Sequence, residues 1–278
     1  TTQVARKAIR AVFFILLNSI VILAVVETGL WIYTGVKPIY DLEMQKYATH
    51  LKRPGSIPGL SHEHIPNSEA VLMGVDFKIN SQGFRDAELP GAKDSNEYRI
   101  MVLGCSNTVG WGVPSDSVFT VLLEKKLNRN LPGKRYRVVN AGVGNYNTRL
   151  ESIQLKEKIR VVQPDMVIVH YYINDAEVIS PARPGFLARY SCLATLAKVR
   201  LQYQDFEKHF ENIGAYYLQL YSDTSAGWKD AQKAMLDIKE LCGKNSVKLL
   251  VALQPDLHDL SINSGQYQCH QILKKFLI

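Results

Sequence analysis

Hydrophobic and polar positions divide the 278-residue chain into three regimes. In the first, Arg6, Lys7 and Arg10 precede a long apolar run from Ala11 to about Tyr33, interrupted by Asn18, Ser19 and Glu27 but otherwise mostly Leu, Ile, Val, Phe and Ala. About 20 apolar residues span a hydrocarbon core, so this run predicts a transmembrane helix. Positive charge before it places the N-terminus in the cytoplasm and the rest of the chain outside. Trp31 and Tyr33 suit the far interface belt. The competing reading is a cleaved signal peptide, but Val25-Val26-Glu27-Thr28-Gly29 is a poor cleavage site and the run is long for a signal core, which favours an uncleaved anchor. Glu27 is costly if immersed in lipid. It is expected to snorkel to the outer interface; the sharper alternative is a contact with a partner helix.

In the second regime, residues 36–97, periodicity is poor and breakers are frequent: Pro38, Pro54-Gly55, Pro58-Gly59, Pro66-Asn67 and Pro90-Gly91. This predicts an extended linker that packs against the following domain. His62 and His64 are expected to face solvent. Within it, Phe77–Asp86 alternates like a short strand, turns at Gly83 and is expected to expose Arg85 and Asp86.

The third regime, residues 98–278, alternates apolar runs of strand length with amphipathic helical patterns. Strands are expected at Tyr98–Leu103, Tyr136–Asn140, Asp165–Tyr172 and Val247–Leu253. Helices are expected at Ser117–Asn128, Thr148–Val162, Cys192–Phe210, Ala226–Cys242 (stopped by Gly243) and over Gln268–Ile278. Such alternation predicts βαβ units and a parallel sheet, hence an α/β class. The organisation is then 1–35, a cytoplasmic tip and transmembrane anchor; 36–97, the linker; and 98–278, the α/β domain.

Composition narrows the function classes. A net charge of +7 comes from scattered basic residues apart from the N-terminal cluster, and no basic stripe interleaves with aromatics, so nucleic acid is not an expected partner. Cys105, Cys192, Cys242 and Cys269 lie far apart without metal-ligand spacing, so no metal or other cofactor is expected. Spacing does not decide whether any two form a disulfide.

Chemistry gathers where three strands end. The first ends in Gly104-Cys105-Ser106, the second in Asn140-Ala-Gly-Val-Gly-Asn-Tyr-Asn-Thr148, the third in His170-Tyr-Tyr-Ile-Asn-Asp175. Parallel sheets bind ligands at the carboxyl ends of their strands, so these turns are expected to meet. Their residue types suit acyl transfer: Ser106 to attack a carbonyl, with the backbone amides of the Gly-rich turn and the Asn174 side chain to hold the oxyanion. One such donor is worth about 3–4 kcal/mol to a tetrahedral intermediate. The plain alternative is a βα turn whose Ser merely caps a helix. Cys105, next to a strand-end Ser, should point the other way and fill the core. Asp175 is expected to cap the following segment, and His170 to be a packed core histidine. The aromatic residues Tyr190, Tyr203, Phe206, Phe210, Tyr216, Tyr217 and Tyr221 could stack on sugars, but at helical spacing they are expected to form a packing face.

From about Ile79 onward the chain resembles the SGNH (GDSL-type) hydrolase superfamily, in particular a membrane-anchored bacterial branch found beside polysaccharide O-acylation machinery. The resemblance is carried by Ile79–Asp86, Gly104–Val113, Asn140–Thr148, Pro164-Asp165 and Asn174-Asp175. It implies a flavodoxin-like three-layer α/β/α fold and ester chemistry, with Ser106 as nucleophile and oxyanion donors from the Asn174 side chain, the Ser106 amide and the second turn. Two departures matter. Cys105 replaces the Asp of the family's first motif. Where the family supplies an amide from a Gly, this chain has Asn145, just after Gly144. Asn tolerates left-handed backbone, so its amide can still point inward.

The base is the gap. A serine hydrolase needs a histidine and a group to orient it, which the family draws from an Asp-x-x-His motif near the C-terminus. Here Asp256 and His258 are spaced Asp-x-His and directly follow the Val247–Leu253 strand, one strand earlier than the family's pair. The expectation is that the last strand, the Asp/His pair and a final helix, roughly 40–60 residues, lie beyond residue 278; otherwise His258 and Asp256 are the candidates. The implied function is a periplasmic esterase or O-acyl (acetyl) ester hydrolase or transferase, anchored in a bacterial inner membrane and acting on a carbohydrate ester. The rival reading is a catalytically degenerate subunit that serves a membrane protein complex through its transmembrane helix.

Overall fold

The computed structural model describes residues 2–179, 189–210, 212–255, 257 and 260–278. Helix α1 (Thr2–Val36) contains the apolar run and stands clear of the rest of the protein for most of its length. Among the described residues it is the one helix long and apolar enough to cross a membrane. Near its far end it meets helix α6 (Cys192–His209). There Glu27 accepts hydrogen bonds from Ser191 Oγ at 2.8 Å, Cys192 N at 2.6 Å, Leu193 N at 3.1 Å and Trp31 Nε1 at 2.9 Å. The carboxylate therefore neither snorkels alone nor awaits a partner helix: it caps the first turn of α6, whose orphan amides favour a negative charge.

Residues 36–97 are more ordered than a linker. Helix α2 (Tyr40–His50) is followed by two antiparallel hairpins, β1 (Lys52–Pro54) with β2 (His62–His64), and β3 (Glu69–Leu72) with β4 (Val75–Lys78). Tyr47, Leu51, Leu72, Phe77 and Ile79 form a small apolar core that closes onto Val109 of the α/β domain. The breakers mark the turns of a collar.

Among the described residues, the α/β domain is built on a sheet of four parallel strands, β5 (Glu97–Gly104), β6 (Arg135–Asn140), β7 (Met166–Tyr171) and β8 (Lys248–Leu253), in the order β6-β5-β7-β8. That is the flavodoxin-like order, with β5 at the switch point where successive connections go to opposite sides. All four strands fall within one residue of the expected bounds. The connecting helices are α3 (Ser106–Val109), α4 (Phe119–Asn130), α5 (Thr148–Val162), α6, α7 (Ile213–Leu220), α8 (Ala226–Lys244) and α9 (Gly265–Leu277). The main core packs Met101, Leu103, Val167 and Val169 of the sheet against Leu155 and Ile159 of α5 and Trp228, Met235 and Ile238 of α8. Below the sheet, fully buried Arg99 pairs with Glu97 and donates to Val162 O, while Asp165 accepts from Arg99 N at 2.7 Å and Lys93 Nζ at 2.6 Å. The cysteines are free.

Several boundaries differ from the sequence pattern for identifiable reasons. A 3-10 turn over Ser115–Ser117 delays α4 to Phe119. Gly243 does not stop α8; the helix runs to Lys244 and the chain reverses at Ser246, whose φ is 56°. Helix α7 was hidden in an aromatic run. Asn212 starts it by accepting from Ala215 N at 2.9 Å, and Phe206, Phe210, Tyr216 and Tyr217 pack on one another with ring centroids 5.0–5.4 Å apart. Tyr190 and Tyr203 stay exposed.

Candidate active site

Strand β5 delivers its last residues to the carboxyl edge of the sheet, and the chain there turns at once into a helix. A Cβ on Gly104 would lie 1.9 Å from Thr108 Oγ1, so only glycine admits so tight a return. Cys105 points into the core and is 1 % exposed. Burial pushes its thiol well above its usual range, which keeps it protonated and unsuited to nucleophilic attack. Ser106 opens α3, half exposed, with its hydroxyl beside the Cys105 sulfur. A one-turn helix therefore starts at the serine itself, ahead of α4, which begins two residues after the expected Ser117. Its own N–H is one of the first-turn donors that no helical carbonyl can satisfy, and no acceptor takes it among the described residues.

The second turn is bonded directly to the first. Ala141 N donates to Val102 O at 2.9 Å and Val143 N to Gly104 O at 3.0 Å. Asn140 donates from Nδ2 to Thr108 O at 2.9 Å and accepts from Gly142 N at 3.0 Å. Gly142 lies against α3, where a Cβ would come within 2.4 Å of Val109 N. Asn145 is exposed and left-handed, with φ 66°; its N–H has no acceptor among the described residues. The Gly144 amide, considered from sequence as part of the oxyanion group, is not free: it donates to Tyr47 OH at 3.0 Å.

The third turn follows β7, whose His170 is in register with Gly104. Asn174 and Asp175 sit on a single 3-10 turn, Ile173–Ala176. The Asn174 side-chain amide is half-buried, and its Oδ1 has no partner among the described residues. Asp175 accepts from Tyr172 N at 3.1 Å through one oxygen, a cap that folds backward, while its other oxygen is buried without a partner. Glu151 on α5 is fully buried, and neither of its carboxyl oxygens has a partner among the described residues. Burial raises Glu151 to about 8, and burial, together with the cost of ionising beside the Glu151 carboxyl, raises Asp175 well above the carboxylate range. Both acids are therefore held protonated at neutral pH beneath the turn that carries Asn174.

Histidines near the site serve other purposes. His170 is half-buried, not a core residue; its Nδ1 pairs with Thr108 Oγ1 at 2.8 Å and its ring stands 4.8 Å from that of Phe119. His62 and His64 turn inward from the collar instead of facing solvent. His64 is 3 % exposed, with its Nδ1 on Gly83 O at 3.0 Å and its Nε2 on Tyr47 OH at 2.6 Å. His62 meets Gly144 O at 2.9 Å through Nε2 and Ser61 Oγ at 2.8 Å through Nδ1. A carbonyl only accepts, so His64 is protonated on Nδ1 and His62 on Nε2. Burial lowers them to about 3 and about 4, with the Lys52 charge adding to both shifts, so both rings are neutral. Asp256 and His258 lie outside the described residues. No hydrogen bond joins Ser106 to a histidine among the described residues.

The collar contributes what sequence reasoning missed. Arg85, expected to be exposed, is 4 % exposed; it donates to Val109 O at 2.9 Å, Gly110 O at 2.5 Å and Val113 O at 2.6 Å, and stacks over Phe77. It thereby ties down the carboxyl end of α3. Asp86 is likewise enclosed, paired with Arg137 at 2.6 Å and accepting from Asn140 N at 2.8 Å. Tyr47 and Lys52 reach the second turn. The one available signal was a basic residue followed by an acidic one after a short alternating run. Polar side chains that bond to backbone carbonyls leave no periodicity to read.

No family model matches the chain, and no curated protein matches it in sequence. Among solved structures, the α/β domain is similar to esterases of the SGNH-hydrolase family. A mutant of the esterase AlinE4 aligns at 16 % identity and TM-score 0.40, over 66 % of this chain and 72 % of that one. TesA aligns at 15 % and 0.37, over 64 % and 74 %. AlinE4 itself, described as an SGNH-hydrolase family esterase, aligns at 20 % and 0.29, over 56 % and 77 %. Identities and scores this low carry no argument about the chemistry or the side chains of this chain.

Proposed function

We propose that this protein is a serine-dependent ester hydrolase or acyl transferase, anchored in a bacterial inner membrane by α1 with its α/β domain in the periplasm. The observation that supports it most is the strand-end arrangement. Ser106 stands half exposed at the carboxyl end of the switch-point strand, and the unengaged N–H groups of Ser106 and Asn145 and the amide of Asn174 come from three turns at the same sheet edge. In this reading Ser106 Oγ bonds to the acyl carbon of an ester and passes its proton to a base. The carbonyl oxygen becomes an oxyanion held by the three donors, and the ester C–O bond then breaks, with the alcohol taking up the proton. A water or a sugar hydroxyl attacks the acyl-enzyme, which gives hydrolysis or transfer. Asp256 and His258, the candidates for the orienting acid and the base within this sequence, lie outside the described residues. The substrate proposed is an O-acylated, in particular O-acetylated, carbohydrate of the cell envelope.

The experiment is hydrolysis of a small acetyl ester by the full-length protein in detergent. Ser106→Ala should lower kcat at least 1000-fold, in line with loss of an activated nucleophile, and should abolish labelling by a fluorophosphonate. Full activity in the variant rejects Ser106. The rival role, an inactive subunit of a membrane complex, loses support at one point: Glu27, its expected partner-binding charge, is occupied by donors of its own chain.

A further inference from the structure

The Gly144–Asn145 peptide is gripped from the side of the collar. Its carbonyl oxygen accepts from Lys52 Nζ at 2.6 Å and from His62 Nε2 at 2.9 Å. The preceding peptide is held too, through Gly144 N on Tyr47 OH, and that hydroxyl in turn donates to His64. A planar trans peptide points its N–H opposite to its C=O, and the described residues contain no cis peptide. Two donors on the Gly144 carbonyl therefore fix the direction of the Asn145 N–H, away from the collar. That N–H lies in the Val143–Tyr146 turn, closed by Tyr146 N on Val143 O at 3.1 Å, with left-handed Asn145 at the third position as in a type II turn.

The choice of a lysine is informative. The groups around Lys52 are Tyr47 on α2, whose ring lies 4.3 Å from Nζ, His62 and His64 on β2, and Arg85, which also faces Tyr47. No carboxylate pairs with Lys52 among the described residues, and burial lowers it to about 7, so ammonium and neutral amine coexist near neutral pH and the charged form prevails below it. Holding a carbonyl needs only a neutral donor such as His62. An enclosed ammonium is a costly way to do the same thing unless its charge acts on the peptide.

We propose that Lys52 and His62 are positioning residues of the oxyanion site. They lock the Gly144 carbonyl so that the Asn145 N–H stands as a fixed donor, and the Lys52 ammonium polarises the peptide so that this N–H binds a developing negative charge more strongly. The inference rests on the reading of Ser106 as nucleophile. It concerns transition-state binding only, because a ground-state ester carbonyl carries little charge.

The test uses the full-length protein in detergent and p-nitrophenyl acetate. Lys52→Met should lower kcat about 10- to 100-fold with KM within about twofold, and should slow phosphonylation of Ser106 by a fluorophosphonate in parallel. His62→Ala should lower kcat about 10-fold, and His62→Gln, which keeps an N–H at similar reach, should recover most of it. Should Lys52→Met fail to fold, the two His62 variants carry the comparison. Wild-type kcat in folded Lys52→Met, or in His62→Ala, overturns the inference, as does a defect confined to KM. If Ser106→Ala is inactive while these variants keep full kcat, this inference alone fails. If Ser106→Ala is fully active, the nucleophile assignment fails first.

Discussion

Arg85 shows how much a single side chain of the collar does for the site. Its guanidinium satisfies three consecutive-loop carbonyls, of Val109, Gly110 and Val113, at the point where α3 ends and Gly110 takes a left-handed φ of 80°. Arg85→Leu removes the guanidinium from over Phe77 and leaves the Val109 and Val113 carbonyls without a donor among the described residues, while Gly110 O keeps its bond from Val113 N at 3.1 Å, which should cost about 2–4 kcal/mol of stability. The midpoint of urea unfolding reads this directly, and a loss under about 0.5 kcal/mol would contradict it. Glu151 makes the opposite case, a buried group that the fold tolerates at a cost. Its folded pKa of about 8 lies above the unfolded value near 4.3, so its contribution to stability is complete below pH 4.3 and declines as pH rises through about 8. Glu151→Gln removes the ionisation, so the variant should melt higher than the parent at about pH 8–9, by a few kcal/mol equivalent, and close to it at about pH 5. Equal shifts at both pH values would show that Glu151 has a partner that holds it ionised. The sequence marked Arg85 but not its burial, since it sits in a breaker-rich stretch where a charged residue is expected to face solvent, and Glu151 occupies an amphipathic helix where an acid is ordinary.

At the scale of elements, what could be read from sequence and what could not divide along physical lines. β5 and β7 were legible because a strand buried on both faces must be a continuous apolar run; β8 is an apolar run as well, although it is only partly buried. α5 was legible to the residue because Asn147 caps it, its side chain accepting from Leu150 N at 3.0 Å. α3 was not, since one turn of helix has no period to detect. The collar hairpins were not, since strands of three and four residues bury too little to show alternation. The meeting of α1 with α6 was also hidden. It is an electrostatic cap over a sequence separation of 165 residues, made by a residue that composition marks only as out of place in an apolar run. That contact leads to a measurable consequence. Glu27→Ala removes the acceptor for Ser191 Oγ and for the amides of Cys192 and Leu193, which should weaken the first turn of α6 by about 1–2 kcal/mol. Cys192 is part exposed at that turn, so its alkylation by a maleimide should speed up several-fold in Glu27→Ala and less in Glu27→Gln. An unchanged rate would mean that α6 holds its first turn without α1.

The whole molecule joins two bodies of unlike chemistry, and pH should separate them. The α/β domain holds Glu151 and Asp175 as neutral acids, so acidification from pH 8 toward 4 favours its folded state, which keeps protons that the unfolded chain gives up in that range. The collar holds His62 and His64 as neutral bases, with folded values near 4 and 3 against about 6.5 unfolded. Both are depressed, so the stability they contribute is complete above pH 6.5 and is lost as pH falls through 4 and 3, a loss on the order of 5 kcal/mol near pH 4. Protonation strikes where the bodies meet. A charged His64 can no longer accept from Tyr47 OH at its Nε2, and a charged His62 stands beside Lys52 on one carbonyl. The collar should therefore loosen first. Hydrogen exchange followed from about pH 7 to pH 4, corrected for the intrinsic rate, should show β1, β2 and the 143–146 turn losing protection while β5 and β7 keep theirs. Esterase activity should fall along with the turn rather than with global unfolding, because the Asn145 N–H is aimed only while the collar grips Gly144. Simultaneous loss of protection in collar and sheet would contradict the division, as would activity that survives intact after the turn has opened.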